Sequence, residues 1–142
     1  MGRIMSIDYG LKRIGIAMTD IMRIMASPFD TIESISVKKN ALAIIEIAKN
    51  NDVSEIVVGM PVNMNGTEGE MAETVKKFIS EINLISEIPV AVIDERLTTA
   101  QAERILIDEA NVSRKKRTGL KDKISAAIIL QTYLERQGII GN

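Results

Sequence analysis

The sequence predicts an α/β fold in which an antiparallel three-stranded meander is followed by parallel strands, all in one mixed sheet with helices on both faces. Residues 4–18 form two short apolar segments around a polar turn, and residues 29–35 can supply a third strand. Two later apolar runs, 55–60 and 89–93, each follow a segment with helical spacing. Parallel strands are joined by right-handed crossovers, so the connecting helices cover both faces of the sheet.

The first hairpin carries an acidic residue at the end of its first strand. The side chains of Ile4, Ser6 and Asp8 share one face of this extended segment, and the second strand runs through residues 14–18. A carboxylate at the end of a buried strand is costly unless a cation meets it. Asp8 is therefore a candidate site residue, although an aspartate in a turn also commonly binds backbone N–H groups.

Capping residues mark where the first two helices begin. Ser36 precedes an apolar stripe with helical spacing, which predicts the first helix. Thr67 stands three residues before Glu70, the spacing of a capping box, and is expected to open the second helix. Each of these helices lies between two predicted strands, as a crossover connection requires.

Two further helices are predicted after the last strand. Thr98 and Gln101 form another capping pair, which predicts a third helix. A polar, basic connection over residues 111–119 then leads to a last helix from about residue 121 to residue 137. Asp122 is expected in the first turn of that helix, where an acid also interacts favourably with the helix dipole.

The composition excludes several kinds of site. The chain contains no Cys and no His, which excludes disulfide scaffolds, zinc sites and mechanisms that use a Cys nucleophile or a His base. Two Tyr and two Phe with no Trp argue against a base-stacking platform. A length of 142 residues predicts one domain over residues 1–142. Any chemistry must use carboxylates, hydroxyls, Lys or Arg.

The absence of an apolar leader and of a long apolar run predicts a cytoplasmic protein with no membrane partner. The net charge of −1 does not by itself indicate a polyanionic partner. The local clustering of charge is more informative than this sum.

Acidic residues recur at the ends of predicted elements. Asp8 leaves the first strand, Asp94 and Glu95 leave the last strand, and Asp122 begins the final helix. Ligands of open α/β sheets collect at the carboxyl ends of the strands, so these carboxylates are expected to meet in one crevice. Oxygen ligands of this kind suit Mg²⁺ or Mn²⁺. Such ions can activate water and stabilise the leaving oxygen in phosphodiester cleavage without a protein nucleophile.

A dense cationic segment lies beside Asp122. It contains Arg114, Lys115, Lys116 and Arg117, with Lys121 beyond them. A charge run is more often a solvated loop, but beside carboxylates we expect it to contact a nucleic-acid backbone, with steep salt dependence and little sequence preference. Lys12 and Arg13 are expected to bind a phosphate at the mouth of the site or to neutralise Asp8.

Four motifs, in order along nearly the whole chain, resemble those of the YqgF (RuvX) family. They are Asp8-x-Gly10-x-x-Arg13-x-Gly15, Val58-Gly59-x-Pro61 with Asn65-Gly66-Thr67, Asp94-Glu95-Arg96-x-Thr98-Thr99, and Asp122 before Ala126-Ala127-x-Ile129-Leu130. This family is similar to the ribonuclease-H-like nucleases and Holliday-junction resolvases. The resemblance implies a ribonuclease-H-like fold and a nuclease for branched DNA or for the precursor of small-subunit ribosomal RNA.

The resemblance further implies that Asp8, Glu95 and Asp122 are the catalytic, metal-binding carboxylates. The motif leaves open whether Asp94 or Glu95 takes the second place, because alternation along a strand sends neighbouring side chains to opposite sides. The longer side chain of Glu95 reaches further beyond the strand end and favours it. Asp94 would then orient Arg96 or cap the following helix.

Other classes of function share parts of this pattern. An ATPase of the actin and sugar-kinase type also has Asp-x-Gly in a hairpin, but it needs a second domain for which the chain has no room. A receiver domain alternates strand and helix from the start, whereas a hairpin follows Asp8 here. A nucleic-acid binding protein without catalytic activity is the main rival, and it predicts binding without cleavage.

The sequence leaves the substrate open between branched DNA and RNA. It also leaves the oligomeric state open between a monomer and a homodimer, since symmetric resolution of a junction needs two copies. No small-molecule cofactor is expected.

Overall fold

The elements that carry the predicted site belong to one mixed sheet and the helices packed on it. The computed structural model describes residues 2–63, 65–97 and 114–137. The strands are β1 (Arg3–Tyr9), β2 (Arg13–Thr19), β3 (Ala26–Glu33), β4 (Val53–Met60) and β5 (Val90–Asp94), and the helices are α1 (Val37–Asn50), α2 (Glu70–Ile85) and α3 (Arg114–Arg136). A single 3₁₀ turn, Glu95–Leu97, follows β5.

The strands lie in the order β3-β2-β1-β4-β5. The β1–β2 and β2–β3 pairs are antiparallel, whereas β4 is parallel to both β1 and β5. The predicted meander followed by parallel strands is confirmed. Since β1, β4 and β5 run in the same direction, their carboxyl ends share one edge of the sheet with the turn between β1 and β2.

Helices cover both faces of the sheet, as predicted. Ile44 of α1 and Phe78 of α2 are fully buried in one apolar cluster with Ile7 of β1. Ile129 and Leu130 of α3 are buried in a second cluster on the opposite face. Among the described helices, none combines the length and apolar character needed to cross a bilayer.

One of the two helix caps predicted for α1 and α2 is correct. The Ser36 hydroxyl accepts a hydrogen bond from the backbone N–H of Lys39, as expected for the cap of α1. The prediction for Thr67 is wrong, because Gly69 occupies the N-cap of α2 without a side-chain hydrogen bond. Thr67 instead donates to the side chain of Asn65, since short polar side chains readily form local turns that compete with helix caps.

The last helix begins earlier than the sequence indicated. α3 starts at Arg114, so the expected basic connection forms its first turns and Asp122 lies in its third turn, not its first. Lys and Arg are good helix formers, and a single glycine such as Gly119 costs only about 1 kcal/mol within a helix. The third helix predicted from Thr98 lies outside the described residues.

Candidate active site

Asp8 and Glu95 meet at the carboxyl edge of the sheet. Asp8 lies near the end of β1 and Glu95 directly follows β5, so β4 separates their two strands. Their side chains nevertheless share a hydrogen bond. A hydrogen bond between two carboxyl groups requires that one of them be protonated, and the raised pKa values of both residues favour that state.

The electrostatics of this pair follow from burial and from like charge. Burial, the hydrogen bond with Asp8 and the Asp8 charge raise the pKa of Glu95 to about 9. Burial also raises the pKa of Asp8, and the charge of Asp122 acts in the same direction, while the bond with Glu95 and the charge of Lys121 oppose the shift. Carboxyl groups perturbed in this way are common at functional sites.

Gly59 provides the space through which Glu95 reaches Asp8. It lies on β4 opposite Ile93 of β5, directly after the residue that pairs with Ile7 of β1. A Cβ atom at Gly59 would lie 2.7 Å from Oε1 and 2.8 Å from Cγ of Glu95. The side chain of Glu95 therefore crosses over β4 at the one point where that strand has no side chain. A glycine inside an apolar strand is the sequence signal for such an approach.

A second glycine brings Asp122 to the same place. Gly15 of β2 pairs with Asp8, and a Cβ at Gly15 would lie 2.0 Å from the backbone oxygen of Asp122. The backbone of α3 thus rests directly on β2. One turn further on, the buried Ser6 hydroxyl donates to the carbonyl oxygen of Ala126 at 2.6 Å. These contacts place Asp122 beside Asp8, close enough for its charge to act on the pKa of Asp8.

Asp122 is held by Arg13. The Nε of Arg13 donates to Oδ2 of Asp122 at 2.8 Å, with 40% of the arginine side chain and 22% of the aspartate side chain exposed. Arg13 was expected to act on a phosphate or on Asp8, and the contact with Asp122 is a third arrangement. In the part of the chain that the structure describes, no three acidic residues are arranged as a ready metal site.

Asp94 points to a different partner. Its carboxylate accepts hydrogen bonds from the backbone N–H and the guanidinium of Arg96. Glu95 is thus the residue of this pair that joins Asp8, and Asp94 orients Arg96. Alternation of side chains at the strand end separates the two acids, as the sequence analysis expected.

The three carboxylates supply the donor type that a hard divalent cation takes, although they are not arranged as a preformed ligand set in the described part of the chain. Asp8 and Glu95 are joined by a hydrogen bond, and Asp122 lies within electrostatic range of Asp8. One oxygen of Asp122 is engaged by Arg13, and a carboxylate has a second oxygen with acceptor capacity. All three donors are carboxylate oxygens, the ligands that Mg²⁺ and Mn²⁺ prefer.

The structure describes the side chains of only some of the predicted cationic residues. Lys121 acts electrostatically on Asp8, and Lys12 is exposed in the turn after β1. The backbone of residues 114–117 forms the first turn of α3, and their side chains lie outside the described part. Tyr9 is buried, and its hydroxyl accepts a hydrogen bond from Asn40, so it belongs to the core and not to a stacking surface.

Comparisons with known proteins agree with the motifs. Residues 2–136 match the family model RuvX, described as Holliday junction resolvase. A curated protein of Endomicrobium trichonymphae, named as a candidate pre-16S rRNA nuclease, is 69% identical over 137 residues, which cover 96% of this chain and 98% of the relative. A relative of the same name from Thermoanaerobacter pseudethanolicus is 42% identical over 135 residues, or 95% and 97% of the two chains.

Solved structures share the fold at low sequence identity. Thermus thermophilus RuvC in complex with a Holliday junction substrate has a TM-score of 0.57 at 14% identity, covering 98% of both chains. Fowlpox virus resolvase in complex with Holliday junction DNA has a TM-score of 0.60 at 14% identity, covering 95% of this chain and 98% of that one. The expected ribonuclease-H-like fold is confirmed. With this fold and with relatives matched over nearly their full length, the chain belongs to the RuvX family of Holliday junction resolvases.

Proposed function

We propose that this protein is a metal-dependent nuclease that hydrolyses phosphodiester bonds in structured nucleic acid, with Asp8, Glu95 and Asp122 as its metal-binding carboxylates. The observation that carries the proposal is the close approach of Asp8, Glu95 and Asp122 at the carboxyl edge of the sheet, where Gly59 and Gly15 leave space for it. The chain contains no His and no Cys that could supply another base or nucleophile.

The three carboxylates would hold Mg²⁺ or Mn²⁺, which supplies a water nucleophile and stabilises the charge on the leaving oxygen. The chain itself provides the geometry. Gly59 lets Glu95 lie across β4, and Gly15 sets the height of Asp122 above β2. Arg13 holds Asp122 in one orientation, which limits the reorganisation needed when ligands bind.

The cationic residues on the β2 side would position the nucleic-acid backbone. Lys12 and Lys121 are exposed there, and 40% of the Arg13 side chain is exposed. Arg114, Lys115, Lys116 and Arg117 would extend this contact along the first turns of α3. Contacts of this type neutralise phosphates without reading bases, so binding should be salt-dependent and largely independent of sequence.

We infer from the names of the relatives that the substrate is the precursor of 16S rRNA, branched DNA or both. A nuclease acting on ribosomal precursors would work in the cytoplasm. We propose that residues 1–142 form its single domain. Trimming of RNA needs only a monomer, whereas symmetric cleavage of a junction needs a homodimer.

The test is cleavage of two end-labelled substrates in parallel, a four-way DNA junction and an RNA that spans one end of pre-16S rRNA. The reactions contain Mg²⁺, Mn²⁺ or EDTA. We expect metal-dependent products with the wild type and none with Asp8→Asn or Glu95→Gln. The preferred substrate then assigns the role in DNA or RNA metabolism.

The matched control is Glu46→Gln, which removes the same charge from an exposed position on α1. It should cleave like the wild type. If the wild type binds both substrates but cleaves neither under any metal condition, the nuclease proposal fails. The protein would then be a nucleic-acid binding protein that retains the fold.

A further inference from the structure

A second arginine at the site edge is held in place by an aspartate. Arg96, in the 3₁₀ turn after β5, donates from Nε and Nη2 to Oδ2 of Asp94 at 2.9 and 2.6 Å. Its backbone N–H donates to Oδ1 of the same carboxylate at 2.9 Å. One edge of the guanidinium is therefore occupied, and its orientation is set.

The other edge of the guanidinium lies beside a loop that does not cover it. Nη1 of Arg96 is 4.0 Å from the position that a Cβ of Gly66 would take, and 35% of the arginine side chain is exposed. Gly66 has a φ of +89°, a conformation that strains other residues. Gly66 has no side chain, whereas a side chain at this position would lie against Nη1 of Arg96.

The described residues of the loop beside Arg96, residue 63 and residues 65–67, are joined by hydrogen bonds. The backbone N–H of Asn63 donates to the carbonyl of Thr67, and that of Gly66 donates to the carbonyl of Asn63, both at 2.8 Å. The Asn65 side chain accepts from the backbone N–H and the hydroxyl of Thr67 at 3.1 and 2.7 Å. A loop closed in this way can keep a constant gap above the arginine.

Arg96 and Arg13 lie on opposite sides of the proposed catalytic pair. Arg13 belongs to β2 and Arg96 follows β5, with β1 and β4 between them. Three strand spacings of about 4.8 Å make this span about 14 Å. Since phosphates of one duplex strand rise about 3.4 Å each along the axis, the span corresponds to about four nucleotides. A backbone that touches both arginines would pass over Asp8 and Glu95.

We propose that Arg96 binds a backbone phosphate of the nucleic acid on the β5 side of the carboxylates, and that Asp94 is its positioning residue. This inference rests on the proposed nuclease function and adds a binding site on the side opposite Arg13. A guanidinium bound to a carboxylate through one edge presents N–H donors on its other edge, in a geometry that matches phosphate oxygens. The contact is independent of base identity.

The test measures binding separately from cleavage. Affinity for a fluorescein-labelled four-way DNA junction and for a labelled pre-16S rRNA end is measured by anisotropy in EDTA at several salt concentrations. Arg96→Ala should weaken binding about tenfold. It should also reduce the slope of log K against log salt by about 1. Lys49→Ala, which removes an exposed charge from the last turn of α1, should change neither value.

Two further variants separate charge from positioning. Arg96→Lys keeps the charge but not the two-point bond to Asp94, so it should restore the salt slope but not the full affinity. Asp94→Asn keeps the arginine and weakens its hold, so it should lower affinity while leaving the salt slope unchanged. Cleavage by both variants should show a raised KM with kcat near the wild-type value.

The outcomes distinguish this proposal from the nuclease function. If Arg96→Ala and Asp94→Asn lower only the melting temperature, and binding and salt slope equal those of the wild type, the pair is a local structural contact and the phosphate site is refuted. Wild-type binding that depends on Arg96, without any cleavage, would support the phosphate site and overturn the nuclease. A wild type that binds neither probe would overturn both.

Discussion

Replacing Gly59 by alanine tests the central feature of the site, the path of Glu95 across β4. The new Cβ would lie 2.7 Å from Oε1 of Glu95 and 2.7 Å from Cδ1 of Ile129. Both atoms are the far ends of flexible side chains and can retreat without moving the backbone, but Cγ of Glu95, at 2.8 Å, must turn away with its carboxylate. Ordinary contacts begin at 3.4 Å, so the Glu95 carboxylate must withdraw by roughly 0.7 Å.

The expected effects on stability and on activity therefore differ in size. Overpacking that side chains can absorb costs at the lower end of about 1–3 kcal/mol. A displacement near 1 Å in a catalytic group can lower the rate by about 10²-fold. Gly59→Ala should thus lose only about 1 kcal/mol of unfolding free energy, yet cleave about 100-fold more slowly and bind Mn²⁺ more weakly by titration calorimetry.

Gly15→Ala is the informative comparison. Its Cβ would lie 2.0 Å from the backbone oxygen of Asp122 and 2.4 Å from the carbonyl carbon, and backbone of α3 cannot retreat as a side chain can. We expect a loss of unfolding free energy at or above about 3 kcal/mol. If Gly59→Ala cleaved and bound Mn²⁺ like the wild type, the position of Glu95 over β4 would have no part in metal binding or cleavage.

Two further predictions concern pH and the contact between α3 and the sheet. Because the pKa of Glu95 rises from 4.5 to about 9 on folding, the folded state holds an extra proton between these values. The stability of the metal-free protein should therefore fall from pH 6 to pH 8, by at most about 1.4 kcal/mol per pH unit. Urea unfolding in EDTA checks this, and an equal slope in Glu95→Gln would contradict it. Ser6→Ala removes the buried bond to the Ala126 carbonyl and should cost about 1–3 kcal/mol, measured in the same assay; an unchanged midpoint would show that this bond does not hold the helix.

Sequence patterns predict the elements correctly where local signals and the global fold agree. The alternating first hairpin, the Ser36 cap and the buried later strands each predict an element that the structure contains. Predictions are wrong where two local signals compete. Thr67 has a capping-box spacing, but its hydroxyl donates to the side chain of Asn65 instead of capping the helix. The basic run that suggested a solvated connection is also a sequence of good helix formers, and it forms the first turns of α3.

The site divides in the same way. Residue type and position along the chain were enough to select Asp8, Glu95 and Asp122 as candidates, because acids at strand ends and the order of the motifs are properties of the chain itself. Sequence order cannot show that β4 separates β1 from β5, since strand order depends on packing over the whole sheet.

The proximity of these acids depends on the tertiary structure. Gly59 and Gly15 look like ordinary strand glycines until a side chain or a helix backbone is seen to occupy the space they leave. The partner of Asp122 is likewise decided by the fold, which brings Arg13 within hydrogen-bond distance, whereas the contact of Asp94 with Arg96 is local and was expected from the sequence. The sequence determined which chemical groups are available. Tertiary packing decided which of them touch, because close contacts join residues that are far apart in the chain and depend on how tightly the interior is filled.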